Sequence, residues 1–580
     1  MNLVHDSIHG TGDPTESSAL HLQPGTRVRA RRDVFCLLLL ALLWVVPFFG
    51  HRPLANPDEG RYAEIPREMA ASGDWVTPRL DGVKYFEKPP LMYWVEAAVL
   101  RLGGSEEWIL RAPVALFALA GCLLVYWASR RLFGREVALL SALVLASSLF
   151  YWAMAELLIL DMAVSVFLSA TLLLFIVAME TPPGTTRRIL FYGVYASAAL
   201  ATLTKGLMGF LIPGAVIFVW LLAFNQWKRL RPFYLFSGTA LFLAIAAPWH
   251  VLVGSRNPEW AQFYFVHEHW LRFTTTVHRR AEPWWFFIPL VLLGLFPWAG
   301  FLVPAAASAL ARKAGQTRNV ALPGFFVVWA GFIFLFFSAS GSKLPPYILP
   351  IFPALAVLIG RWLATATVTR RAGWRWGWIT FAAFALVLGG AFVAAAIRPA
   401  LLHGNAMDGV RPLLASLAAI ILVSAIAVLY QAYRQNHGRA VLFALVASVL
   451  FQVGVTEGVV MRLDFASTLP LARIVRRDAS PDDEIFHYRA LFHDFLYYTE
   501  RPVGLVDGAS ELEIDLDAQA AASGRFIDFA AFLRHWDGPK QVWLVLRRDD
   551  LPQLEAHAGF AGQICGETGR FILMRNHPAP

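Results

Sequence analysis

Apolar runs of about 20 residues recur along this chain, the length at which a helix crosses the hydrocarbon of a bilayer. They lie near 34–50, 107–128, 137–155, 158–179, 188–204, 206–224, 233–253, 283–305, 320–338, 347–365, 376–396, 411–432 and 439–460. With no water inside a bilayer to bond exposed peptide groups, such runs have to be helical, so about thirteen membrane-spanning helices are predicted.

Lys and Arg supply an independent check, since cytoplasmic connections collect them. Arg27, Arg29, Arg31 and Arg32 precede the first run; Arg130, Arg131 and Arg135 follow the second; Arg187 and Arg188 follow the fourth. The alternation continues with Lys228, Arg229 and Arg231, then Arg312, Lys313 and Arg318, then Arg370, Arg371 and Arg375, and finally Arg434 and Arg439. It places residues 1–33 in the cytoplasm and the tail, 461–580, outside. In a bacterium this describes a multi-pass protein of the inner membrane whose outer face is periplasmic. A long polar leader before the first run argues against a cleaved signal peptide. The formal net charge of +9 therefore reads as helix orientation and gives no reason to expect a nucleic-acid partner. At 57% hydrophobic residues the chain is too apolar for a soluble globular protein. Its three cysteines, Cys36, Cys122 and Cys565, outline neither a disulfide framework nor a metal site.

The transmembrane region, 34–460, has two outside connections too long and too rich in charge and aromatics to be plain joints. They are the loops 51–106 and 254–282, and both suggest helices lying at the membrane surface. After 461 the composition is that of a soluble domain. EIFHY, PVGLV, QVWLVLR and RFILM read as strands, with ALFHDFLYY and DFAAFLRHW as helices between them, giving a small α/β domain.

The densest charge stands in the first loop, ANPDEGRYAEIPREM, residues 55–69. Asn56 as N-cap, Pro57 at the first position and Glu59 in the capping-box place predict a helix start. On such a helix Asp58, Tyr62 and Ile65 share a face. At other outside ends of the spans stand Glu156, Asp161, Lys205 and Lys343. Ionisable groups at membrane depth are costly and mark function. Gathered at one boundary they point to a single site there, whereas a transporter or lipid flippase would hold its site near the midplane and has no use for the long loops or the soluble domain.

The basic residues Lys88, Lys205 and Arg272 suit a phosphate. His267, Glu268 and His269, with Glu87, suit a divalent metal, and a histidine donor favours zinc or manganese over magnesium. In a helix His267 and His269 face different sides, so at most one joins Glu87. No Gly-rich phosphate loop is present, so a phosphate carried on a lipid fits better than a soluble nucleotide donor.

The stretch DEGRYAEIPREMAASGDWVTPRLDGVKYFEKPPLMYW, 58–94, resembles the first periplasmic loop of the lipid A aminoarabinose transferases. These belong, with the protein O-mannosyltransferases, to the GT-C membrane glycosyltransferases that use polyprenyl-phosphate sugars. AELLILDM, TLTKG, the EHWLRF region and SGSKLPPY extend the resemblance over most of the membrane part. It implies about thirteen spans with a periplasmic α/β domain, and transfer of 4-amino-4-deoxy-L-arabinose from undecaprenyl phosphate to lipid A phosphates, with polymyxin resistance as the outcome. It also implies roles. Asp58 resembles the catalytic first-loop carboxylate, Lys88 and Arg272 the ligands of the carrier phosphate, and Glu87 and His267 the ligands of a metal, zinc by preference. Asp161, Tyr62, Lys205 and Tyr347 resemble cavity residues, with Asp161 acting beside Asp58. Another lipid-linked sugar or a protein acceptor, as in mannosyl transfer, uses nearly the same features. No coiled coil or obvious interface is visible, so a monomer is expected.

Overall fold

The computed structural model describes residues 33, 35, 38, 52–271, 282–311, 320–369, 373–397, 411–455, 466–508, 512, 517–557 and 560–577. Among them, eight helices are long and apolar enough to cross a membrane, or ten when each of two bent pairs is taken as one span. Thr185–Lys205, which carries three basic residues, and Met208–Phe224, which is shorter, are the helical counterparts of two more expected runs. The first expected run, 34–50, apart from residues 35 and 38, and the basic stretches 312–318 and 370–371 lie outside the described residues.

Two expected spans are not straight. Arg135–Ser147 and Leu149–Ala155 meet at 64°, and Phe287–Gly294 and Ala299–Leu310 at 106°. Pro297 explains the second bend, because it has no N–H to give and its ring displaces the carbonyl one turn back. The first carries no proline; Ser148 turns to extended backbone there. The bend frees the Ser147 carbonyl, which accepts from Ser448 Oγ at 2.7 Å and Gln452 Nε2 at 3.0 Å. The two bends also support each other: Trp298 Nε1 donates to Ser147 Oγ at 2.8 Å and Leu149 N to Phe296 O at 3.3 Å. Broken helices are tolerated at membrane depth on this condition, that neighbouring protein takes up the released backbone groups.

The first loop forms two helices, Asp58–Ser72 and Leu91–Arg101, joined through a short hairpin of Arg79–Leu80 with Val83–Lys84. The soluble domain is a six-stranded sheet in the order Phe526–Ile527, Gly504–Val506, Glu484–Tyr488, Val542–Arg547, Phe571–Arg575, Gln563–Glu567. The first four strands are parallel and the last two antiparallel. Alternation along the strands separates two faces. Phe486, Leu544 and Ile572 pack on the helix Phe529–Trp536, while Ile485, Trp543, Val545 and Leu573 join the main core through Leu471 and Phe495.

The soluble domain and the first loop are locked together. The buried Asp81 carboxylate pairs with Arg525 at 2.9 Å and accepts from Val503 N at 3.1 Å. Lys84 N donates to Asp517 at 3.1 Å, Tyr497 Oη to Ser105 O at 2.7 Å, and Tyr498 Oη to Glu107 at 2.9 Å. The helix His493–Thr499 runs so close to Asp58–Ser72 that a Cβ on Gly60 would lie 2.2 Å from Asp494 N.

Candidate active site at three helix ends

Three charged residues stand at three helix ends. Asp58 opens the first-loop helix Asp58–Ser72, Asp161 opens the span Asp161–Glu180, and Lys205 closes Thr185–Lys205. Each sign suits its end, acids at N-termini and a base at a C-terminus. Gly206, with φ 79°, lets the chain leave the helix directly after Lys205.

The structure brings most of the expected residues together. Lys205 forms an ion pair with Asp161, and its ammonium lies 4.8 Å from the centre of the Tyr347 ring, a cation–π contact. Tyr62 is buried and stacks on Tyr93 at 5.9 Å. Burial, followed by Tyr93 and the negative charges of Asp161 and Asp58, holds its phenol well above the ordinary tyrosine range, so it stays a neutral donor. Asp58 itself is 59% exposed and pairs with Arg61, whose guanidinium lies 5.6 Å from the Tyr62 ring centre. Asp58 and Asp161 thus both act electrostatically on one phenol, and Lys205 and Tyr347 adjoin Asp161.

Glu87 and Lys88 form a neighbouring patch. Lys88 Nζ lies 3.0 Å from Glu87 O and 3.4 Å from its carboxylate. A buried aromatic cluster joins this patch to the others, since it contains Phe86, Leu203, two residues before Lys205, and Phe263. His267 stacks on Phe263 at 5.1 Å, on the π-helical segment Phe263–Leu271. Arg272 and the side chains of Glu268 and His269 lie outside the described residues. Among the described residues, no group of three or more His, Cys, Asp or Glu side chains converges as a metal site does.

Two expectations need correction. Asn56 does not cap the helix: Pro57 takes the N-cap position, and the Asn56 side chain turns to Asp494 of the soluble domain. Lys343 does not join the site; its ammonium donates to Ser340 O at 2.6 Å and Glu282 O at 2.9 Å, closing the end of a span.

The sequence reading also passed over a structural hub. Glu59 is buried and takes six hydrogen bonds. Oε1 accepts from Arg52 at 2.8 Å, Arg111 at 3.0 Å and Leu158 N at 3.0 Å; Oε2 accepts from Arg52 at 2.8 Å, Arg111 at 3.0 Å and Ala55 N at 3.0 Å. Its carboxyl is desolvated by burial, yet Arg111 and Arg52 outweigh this and hold it far below the ordinary range. Glu59 follows Asp58 directly and Leu158 comes three residues before Asp161, so one carboxylate fixes the segments that carry both acids. Nearby, burial pushes Glu156 up to about 8. The available signal was Arg111, a lone arginine within an expected span.

Acids and a base on helix ends, beneath a soluble domain and above a bundle with bent spans, define a polytopic membrane protein of the GT-C type. The family model described as dolichyl-phosphate-mannose-protein mannosyltransferase matches residues 87–251. The undecaprenyl phosphate-alpha-4-amino-4-deoxy-L-arabinose arabinosyl transferase 1 of Proteus mirabilis is 36% identical over 329 residues, 56% of this chain and 58% of that protein. The corresponding transferase of Edwardsiella ictaluri is 32% identical over 333 residues, 57% of this chain and 59% of that protein. The matched stretch thus spans less than two thirds of these curated relatives. The crystal structure of ArnT from Cupriavidus metallidurans bound to undecaprenyl phosphate is 30% identical, covering 94% of this chain and 98% of that one with a TM-score of 0.79. Its apo form gives a TM-score of 0.80. The chain belongs to the ArnT family.

Proposed function

We propose that this protein is a glycosyltransferase of the bacterial inner membrane. It moves 4-amino-4-deoxy-L-arabinose from undecaprenyl phosphate to lipid A phosphate groups on the periplasmic side, and so confers resistance to polymyxin and other cationic peptides. The observation that carries this reading is the full-length likeness to an ArnT bound to undecaprenyl phosphate, with Asp58, Asp161, Tyr62 and Lys205 gathered at one boundary.

In the reaction an oxygen of a lipid A phosphate attacks the anomeric carbon of the sugar, and the bond from that carbon to the carrier phosphate breaks. Undecaprenyl phosphate leaves with the electron pair. The attacking phosphate is already largely doubly ionised near pH 7, its second pKa being about 6, so no base has to remove a proton. Asp58 and Asp161 therefore serve to hold the cationic amino sugar and orient it. Lys88 and Arg272 receive the charge that grows on the departing phosphate, with Lys205, Tyr62 and Tyr347 shaping the cavity between. Lys205 keeps Asp161 in place until the sugar ammonium competes for it.

Glu87 and His267 are proposed to bind a divalent metal, zinc by the nitrogen donor. When bound it would add positive charge beside the carrier phosphate. A catalytic zinc takes three donors from protein, and among the described residues no three His, Cys, Asp or Glu side chains converge. Elemental analysis of the purified protein is expected to find about one zinc per chain, lost in Glu87→Ala and His267→Ala. Metal-free wild-type protein that transfers at full rate refutes this assignment.

The family model at residues 87–251 favours a second reading, mannosyl transfer to a protein hydroxyl, in which Asp58 acts as a base. Mass spectrometry of lipid A separates the two. In a strain that makes the lipid-linked amino sugar but lacks its own transferase, this protein is expected to add one aminopentose per modified phosphate. Unmodified lipid A despite good expression moves the assignment to another lipid-linked sugar or to a protein acceptor.

A further inference from the structure

Asp494 lies in the soluble domain, far in sequence from every site residue, and is fully buried. Its carboxylate accepts from Ser467 Oγ at 2.9 Å, Thr468 N at 2.6 Å, Thr468 Oγ1 at 2.9 Å and the Asn56 amide. Asp494 N in turn donates to Asn56 Oδ1 at 3.3 Å, and Asn56 N donates to Ala466 O at 3.2 Å. Three segments meet on this one side chain: the chain entering the soluble domain, the helix His493–Thr499, and the residues that start the first-loop helix. Burial pushes the Asp494 carboxyl up to about 6, so at neutral pH the four donors face an anion, and charge-assisted hydrogen bonds are the strong ones.

The place of this junction gives it a use. Asn56 is two residues before Asp58, and the helix that follows is pressed against Asp494 N at Gly60. Two residues before Asn56, Leu54 N donates to Tyr498 Oη at 2.7 Å, so the segment leading into the helix is held from the same soluble-domain helix. Asp58 has an exposed side chain, and its one ion pair is with Arg61 of the same helix, so its position follows that of its helix start.

We infer that Asp494 is a positioning residue for the membrane-boundary site: through Asn56 it sets the first turn of the Asp58–Ser72 helix, and so holds Asp58 and Tyr62 opposite Asp161. The soluble domain is then a working part of the transferase. This rests on the transfer reading for its functional consequence, though not for its structural one.

The test uses full-length protein in lipid nanodiscs. Asn56→Ala frees the helix start, while Ser467→Ala removes one donor to the same carboxylate from within the soluble domain. Asn56→Ala is expected to lower kcat on the order of ten- to a hundredfold, since misplacement of about 1 Å has that scale of effect, with KM for the lipid-linked donor little changed. Ser467→Ala is expected to keep kcat within about twofold because it leaves Asn56 in place. Asn56→Ser, which retains a donor, is expected to recover part of the loss. Equal losses in Asn56→Ala and Ser467→Ala, or wild-type kcat in folded Asn56→Ala, overturn the inference. Hydrogen exchange gives a readout that needs no substrate: amides 58–62 are expected to exchange faster in Asn56→Ala alone. Unchanged exchange overturns the positioning role, whereas a wild-type protein inactive on the amino sugar overturns the transfer reading and leaves exchange to decide this one.

Discussion

Asp58→Asn is expected to give a folded, membrane-inserted protein whose transfer rate has fallen on the order of a hundred- to a thousandfold. Folding survives because the side chain is 59% exposed and the amide oxygen of asparagine can still accept from Arg61. Transfer does not, because asparagine keeps the shape of aspartate but not its charge. The amino sugar then meets one anion, Asp161, which Lys205 already occupies. The loss should persist at high pH if Asp58 holds and orients the sugar, since raising the pH does not restore a missing anion; rescue by alkaline conditions would mark it instead as a base. Initial rates with purified lipid-linked donor and lipid A, measured across pH for both proteins, decide between these. Full transfer by Asp58→Asn removes the residue from the reaction.

Much of this site was legible because its chemistry is expensive where it sits. Asp161 and Lys205 break apolar patterns at the ends of their helices, and Asp58 stands in the densest run of charge in the chain. Strands such as Glu484–Tyr488 and Val542–Arg547 were legible from dense runs of apolar and β-branched residues. What stayed hidden depends on pairings distant in sequence. The bend at Ser148 has no proline or glycine to announce it; the side chains that receive the freed carbonyl, Ser448 and Gln452, come from a span some 300 residues later. Asn56 has the identity of an N-cap, and local rules assign it to its own helix. Its actual partner, Asp494, is 438 positions away and wins because a buried carboxylate needs donors more than an exposed helix start does. Lys343 misled for the converse reason: a lysine in a membrane boundary looks functional until carbonyls at a span end are seen to use it.

Glu59→Ala is the substitution expected to cost most stability. It takes from Arg111 and Arg52 the buried carboxylate that both are paired with, and removing one partner from a buried ion group costs about 3–5 kcal/mol. The same change releases Leu158 N and Ala55 N, so both the segment before Asp161 and the entry to the Asp58 helix loosen together. The protein is therefore expected to melt well below wild type in detergent, to accumulate poorly in membranes, and to lose transfer even in the fraction that folds. The pH dependence has a definite sign. Folding lowers the Glu59 pKa from its ordinary value of 4.5, so its contribution is complete above that pH and drains as pH falls below it. Wild-type melting temperatures should accordingly decline on acidification below about pH 4.5, and Glu59→Ala should lack that part of the decline. A variant with wild-type melting and wild-type transfer would mean that the two acid-bearing segments are held in register by something other than this carboxylate.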